Sequence, residues 1–120
     1  MFLEQVSLVV SIHGFGRPGL EDSVLVGGGN RRLAQRMGRA LRRHTSLRIA
    51  DDTAEIPAGL RGLDPANPVN LTAEGGAQIE MSPGARNPVA LTGVEAALVS
   101  VIANEVRSLC ASAGGAAGLR

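Results

Sequence analysis

The chain has 120 residues, 44% of them hydrophobic, which is enough for one domain with one modest core and too little for two. All twelve basic residues are arginine, seven of them between Arg31 and Arg48, yet eleven acids leave a formal charge of only +1, which makes no case for nucleic acid. With no Trp or Tyr and two Phe, the stacking platforms that single strands or sugars need are missing, and the lone Cys110 excludes an internal disulfide or a cysteine-built zinc site.

The first element is a strand. Val6, Leu8, Val10 and Ile12 alternate onto one face, Val9 adds apolar character to the other, and "HGFGRPG" breaks the pattern at His13. This stretch is too short for a membrane span, and it is preceded by Glu4 rather than by basic residues, so it is not read as a signal peptide. The apolar run Val24 to Val26 enters "GGGN", where Asn30 is a helix N-cap. In the helix that follows, Leu33, Met37, Ala40 and Leu41 share one face and Arg32, Arg36, Arg39 and Arg43 another.

A short strand over Leu47 to Ala50 leads into Asp51 and Asp52. Residues Thr53 to Gly76, with Pro57, Pro65 and Pro68, read as an irregular stretch long enough to expect a task of it. "AQIEM" is a strand, "SPGARNPVAL" a loop, and Thr92 with Glu95 a capping box for a last helix striped by Val94, Leu98, Val101, Ile102 and Leu109. One α/β domain over residues 1–112 and a flexible tail over 113–120 are expected, with sites at the carboxyl ends of strands.

Chemistry concentrates at two positions. His13 stands between a strand and a glycine-rich turn, where a ligand or base is held yet reachable. Glu80 sits inside a strand, and an acid there must face solvent, a partner charge or a site, because burying it unpaired costs several kcal/mol. From the residues alone, the better reading of Gln78 and Glu80 is the wet face of an edge strand. "VLVGGGN", a helix, a strand and then Asp51 imitate a dinucleotide fold, but the third glycine of the fingerprint would be Arg32. A non-catalytic nucleotide- or anion-binding domain built on Gly27–Asn30 and Asp51 is therefore one alternative, and an interaction module whose sheet pairs with another chain is a second. His44 suits a helix C-terminus, and neither His-x-x-Glu nor His-Glu-x-x-His occurs.

Taken in order, "VSIHGFGRPG", "VLVGGGNRRLAQRMGRAL", "IPAGLRGLDPANPVNL" and "GGAQIEMSPGAR" resemble the poly-gamma-glutamate hydrolase family over about Val6 to Arg86. The resemblance implies a three-layer α/β sandwich with a mainly parallel or mixed sheet, of the carboxypeptidase-like kind, and zinc-dependent hydrolysis of poly-γ-glutamate or related γ-glutamyl amides. It implies His13 as a zinc ligand and Glu80 as the catalytic base. Arg86, Arg17 and Arg61 would grip substrate carboxylates, with Asn67 and Asn70 adding polar contacts. The family's upstream His-Gly-Gly-x-Ile-Glu type motif, which supplies two further ligands, has no counterpart here. The expected fold is thus incomplete at its N-terminus, with an open sheet edge that a second copy could cover. The expected partner is a γ-linked glutamate polymer or peptide, with no nucleic acid and no membrane, and the expected location is cytoplasmic.

Overall fold

The structure, a computed structural model, describes residues 7–118, with side chains as far as residue 111. Four strands form one mixed sheet: β1 (Val9–Gly14), β2 (Ser23–Gly27), β3 (Arg48–Ala50) and β4 (Gly76–Met81), in the order β1-β4-β2-β3. β1 and β4 are parallel, as are β2 and β3, and β2 meets β4 antiparallel. The helix α1 (Arg31–His44) joins β2 to β3 as a βαβ crossover, and α2 (Pro88–Gly118) follows β4.

Alternation along the strands sorts side chains into two faces. Val24, Val26, Ala77, Ile79 and Met81 pack with Leu33, Met37 and Leu41 of α1 and with Val94, Ala97, Leu98 and Val101 of α2 into the main core. On the opposite face no α-helix among the described residues covers the sheet. Phe15, Leu25, Ala50 and Ile56 form a smaller cluster there, against Leu20 and Leu60. The irregular stretch supplies this third layer through short 3₁₀ turns at Thr53–Glu55, Ala58–Leu60 and Pro68–Asn70.

Asn30 caps α1 as expected, its side chain accepting from the Leu33 N–H at 3.0 Å. The start of α2 corrects the reading of "SPGARNPVAL" as a loop. The helix begins at Pro88, and its cap is Asn87, whose Oδ1 accepts from the Ala90 N–H at 2.9 Å. Proline at the first helical position needs no N–H there, so the Asn-Pro pair outcompetes the Thr92/Glu95 box. Thr92 lies inside the helix instead, its hydroxyl donating to the Pro88 carbonyl. Pro88–Ala111 is long and apolar enough to cross a membrane by length and composition alone, but Val94, Ala97, Leu98 and Val101 use it as a core helix.

β1 is also less buried than its apolar content implies. Among the described residues it is an edge strand with β4 as its one neighbour, and Ile12 is 57% exposed on the helix-side face. Leu8 and Val10 are only partly buried, and Val6 lies outside the described residues.

Candidate functional site

β4, by contrast, is a central strand, and this settles the position of Glu80. With β1 on one side and β2 on the other, all six residues of β4 are buried, Glu80 being 4% exposed. The edge-strand reading of Gln78 and Glu80 therefore fails, because both point into the space between the sheet and the irregular stretch.

Registry carries the rest. His13 pairs with Glu80 across the parallel ladder, one residue before the carboxyl ends of both strands. Residues opposite one another in a ladder place their side chains on the same face, and His13 Nδ1 lies 3.3 Å from Glu80 Oε1. The carboxylate is buried while the imidazole is more than half exposed, so the pair spans the boundary between core and solvent. Burial pushes the Glu80 carboxyl above its ordinary value, an effect that outweighs His13 and the hydrogen bond from Gln78, both of which pull it down.

Behind Glu80 runs a chain of amides. Gln78 Nε2 donates to Glu80 Oε1 at 3.2 Å, and Asn67 Nδ2 donates to Gln78 Oε1 at 3.0 Å. Asn67 in turn caps the Pro68–Asn70 turn, accepting from the Val69 N–H at 3.1 Å. The irregular stretch thus reaches the carboxylate through two side-chain amides. Ser11, opposite Gln78 in the ladder, has a buried hydroxyl without a hydrogen-bond partner.

The remaining candidates are distributed unevenly. Arg86 is exposed in a 3₁₀ turn after β4, and its guanidinium lies over the backbone of Gly14, next to His13. A Cβ on Gly14 would come within 2.8 Å of Arg86 Nη1, so glycine is what lets the cation settle there. Arg61 sits in the irregular stretch, its Nε donating to the Ile56 carbonyl at 2.7 Å, and Arg17 lies beside Gly59 on the neighbouring turn. Asn70 is a loop fastener: its amide donates to the carbonyls of Gly62 and Asp64, and its oxygen accepts from the Gly29 N–H at 2.8 Å.

That last bond bears on the glycine-rich turn. The Gly28 N–H donates to Arg61 O, the Asn30 N–H to Gly76 O, and the Gly29 N–H to Asn70, so the amides that would cradle a phosphate already have protein acceptors. The Asp51 carboxylate is likewise taken, by two bonds from Arg42 at 2.8 and 3.1 Å. The turn also follows β2, which runs against β4, and so lies at the end of the sheet away from His13 and Glu80. Among the described residues no three His, Cys, Asp or Glu side chains gather as a metal site.

Sequence reasoning found both members of the central pair but missed Gln78 as the residue that joins Glu80 to the loop. The signal was the i, i+2 spacing of Gln78 and Glu80, which places both on one face of a strand.

The sequence model of the poly-gamma-glutamate hydrolase family matches residues 1–92. Two solved structures share the fold. One, described as the structure of a bacteriophage poly-gamma-glutamate hydrolase, is 24% identical with a TM-score of 0.67 over 87% of this chain and 56% of its own. The other, YNDL in a zinc-free apo form, is 20% identical with a TM-score of 0.67 over 87% of this chain and 57% of its own. The chain therefore spans little more than half the length of either. No curated protein matches it. With the match running over residues 1–92, well over half of its length, the chain belongs to the poly-gamma-glutamate hydrolase family.

Proposed function

We propose that this chain carries hydrolytic groups for the amide bonds of poly-γ-glutamate or a related γ-glutamyl peptide, with Glu80 as the general base. The observation that supports this most is the buried Glu80 carboxylate, raised in pKa and held on a central strand beside an exposed imidazole. A carboxylate with a raised pKa takes a proton from water more readily than an ordinary one does, and a strand holds it steadier than a loop. Glu80 takes a proton from water as the water oxygen adds to the amide carbon. It then passes that proton to the departing amine as the C–N bond breaks.

Arg86 is the first choice for gripping a substrate carboxylate, since its guanidinium is exposed beside His13. Arg17 and Arg61 extend the cationic rim along the irregular stretch and Asn67 borders it, while Asn70 acts through the loop it fastens. The resemblance implies zinc, with His13 as a ligand. The described residues do not fit that metal by themselves, because they offer one imidazole beside one carboxylate and no third donor, whereas catalytic zinc takes three protein ligands.

Glu80→Gln is the test. It keeps the shape and the bond from Gln78 but removes the base, so hydrolysis of γ-linked glutamate should fall by about 10² to 10⁴-fold. Turnover in the variant equal to that of the native chain would remove Glu80 from the reaction.

A further inference from the structure

We propose that a cleft between α1 and α2, on the face of the sheet opposite Glu80, is a second binding site for the carboxylates of an acidic polymer. The identity of that polymer as γ-linked glutamate rests on the function proposed above. The cleft measures about 220 Å³ and is lined by Arg36, Arg39 and Arg43 from α1 and by Ser100, Val101 and Asn104 from α2. Three guanidinium groups thus face a hydroxyl and an amide across a groove between two helices.

The charge on α1 is unusual in how it is compensated. The helix holds six arginines and no acid. Four of the six have structural partners. Arg31 donates to the carbonyls of Gly28 and Asp51, Arg42 pairs with Asp51, and Arg32 and Arg36 both pair with Glu105, a buried acid of α2. Among the described residues Arg39 and Arg43 have no carboxylate partner, and both line the cleft. Asn104, on the opposite wall, accepts from Arg107 through its Oδ1.

A solvated helix face normally mixes signs at i, i+4 spacing, whereas here Arg32 and Arg36, and Arg39 and Arg43, are like-charged pairs at that spacing and work against the helix. The helix C-terminus accounts for cations in the last turn, Arg42, Arg43 and His44, but not for Arg39 a turn earlier. A polycarboxylate supplies the missing countercharge. Guanidinium forks grip carboxylates through two parallel hydrogen bonds, and the absence of lysine from the whole chain keeps every cation of that type. A polymer held here while another segment of it lies against Arg86 would be kept near the site between cleavages.

The test is the affinity of the full chain for a long γ-linked glutamate polymer, followed by fluorescence anisotropy at low salt, beside the double variant Arg39→Gln/Arg43→Gln. Both residues are exposed, so the variant should melt close to the native chain. Affinity for the polymer should fall on the order of tenfold, while turnover of a γ-glutamyl dipeptide, too short to reach the cleft, stays unchanged. Unaltered polymer affinity in the double variant overturns the cleft. Tighter binding of a single-stranded DNA of equal charge than of the polymer would also overturn it, making this a phosphate surface. If neither protein hydrolyses the dipeptide yet the affinity difference persists, the cleft stands and the hydrolytic reading falls.

Discussion

Glu80 acquires its properties from the strands on either side of it and from two side chains, His13 and Gln78, and the geometry shows what each contributes. β2 and β1 on either side remove water, which raises the carboxyl pKa. His13 provides a partner at the solvent boundary, and Gln78 fixes one oxygen from behind. Gln78 is itself oriented by Asn67, so Gln78→Leu should leave the carboxylate buried with one fewer donor and free to turn. The expected result is a fall in turnover of about tenfold or more with little change in KM, because the base and not the substrate grip has been disturbed. Gln78→Glu would be worse than Leu, since it puts a second carboxylate against the first. A Gln78→Leu variant in which KM rises and kcat holds would show that the amide chain serves substrate instead. At this scale the sequence was readable in part. Strand alternation exposes the pair Gln78 and Glu80, but only the strand order says whether their shared face is wet or dry.

Elements were the more legible level where local chemistry decides. Asn30 and the apolar stripe of α1, the β4 run and the short β3 all follow from periodicity and capping, and they are present with shifts of a residue or two. What escaped is where two local signals compete, as Asn87-Pro88 does against Thr92 and Glu95, and where a motif has two physical uses. The glycine turn is such a case. Gly27 and Gly28 serve close approach of backbone to backbone: a Cβ on Gly27 would run into the Arg61 carbonyl, and one on Gly28 would meet the Gly76 carbonyl and the Ala77 Cα. Gly28 also has φ +96°, which side chains rarely adopt. Gly28→Val should therefore cost at least about 1–3 kcal/mol in denaturant unfolding from backbone strain alone, with the added clash making it more. Nucleotide should change the melting temperature of neither protein. A native chain stabilised by nucleotide, with the effect lost in the variant, would restore the phosphate-binding alternative.

At the scale of the whole molecule, the sheet is sealed unevenly. β3 is three residues long, while β1 offers a free edge among the described residues, with Ile12 exposed beside it. Leu8, Val10, Leu33, Met37, Ile102 and Val106 line an open apolar groove next to that edge. A strand read as core from its apolar content is thus half-covered, and composition alone could not show this because cover is supplied by other elements.

The same unevenness places two perturbed acids on opposite sides of the balance between folded and unfolded chain. Asp51 has its pKa lowered below the ordinary 3.8, chiefly by the hydrogen bonds from Arg42, so its contribution is present above that value and is lost as pH falls through the folded pKa. Glu80 is the reverse. Its folded pKa is raised above 4.5, so the folded state holds the proton more tightly, and stability declines as pH rises from 4.5 through the folded pKa and stays lower beyond it. For these two groups together, the chain is most stable near pH 4. Melting curves across pH separate them: Glu80→Gln should melt above the native chain at pH 7 and converge with it below about pH 4, whereas Asp51→Asn should melt below it at pH 7 and converge only in stronger acid. A Glu80→Gln variant that is no more stable than the native chain at pH 7 would mean that His13 and Gln78 already compensate the buried charge. Glu80 would then hold its proton no more tightly than an ordinary carboxylate, and it would have no electrostatic advantage as a base over a carboxylate on the surface.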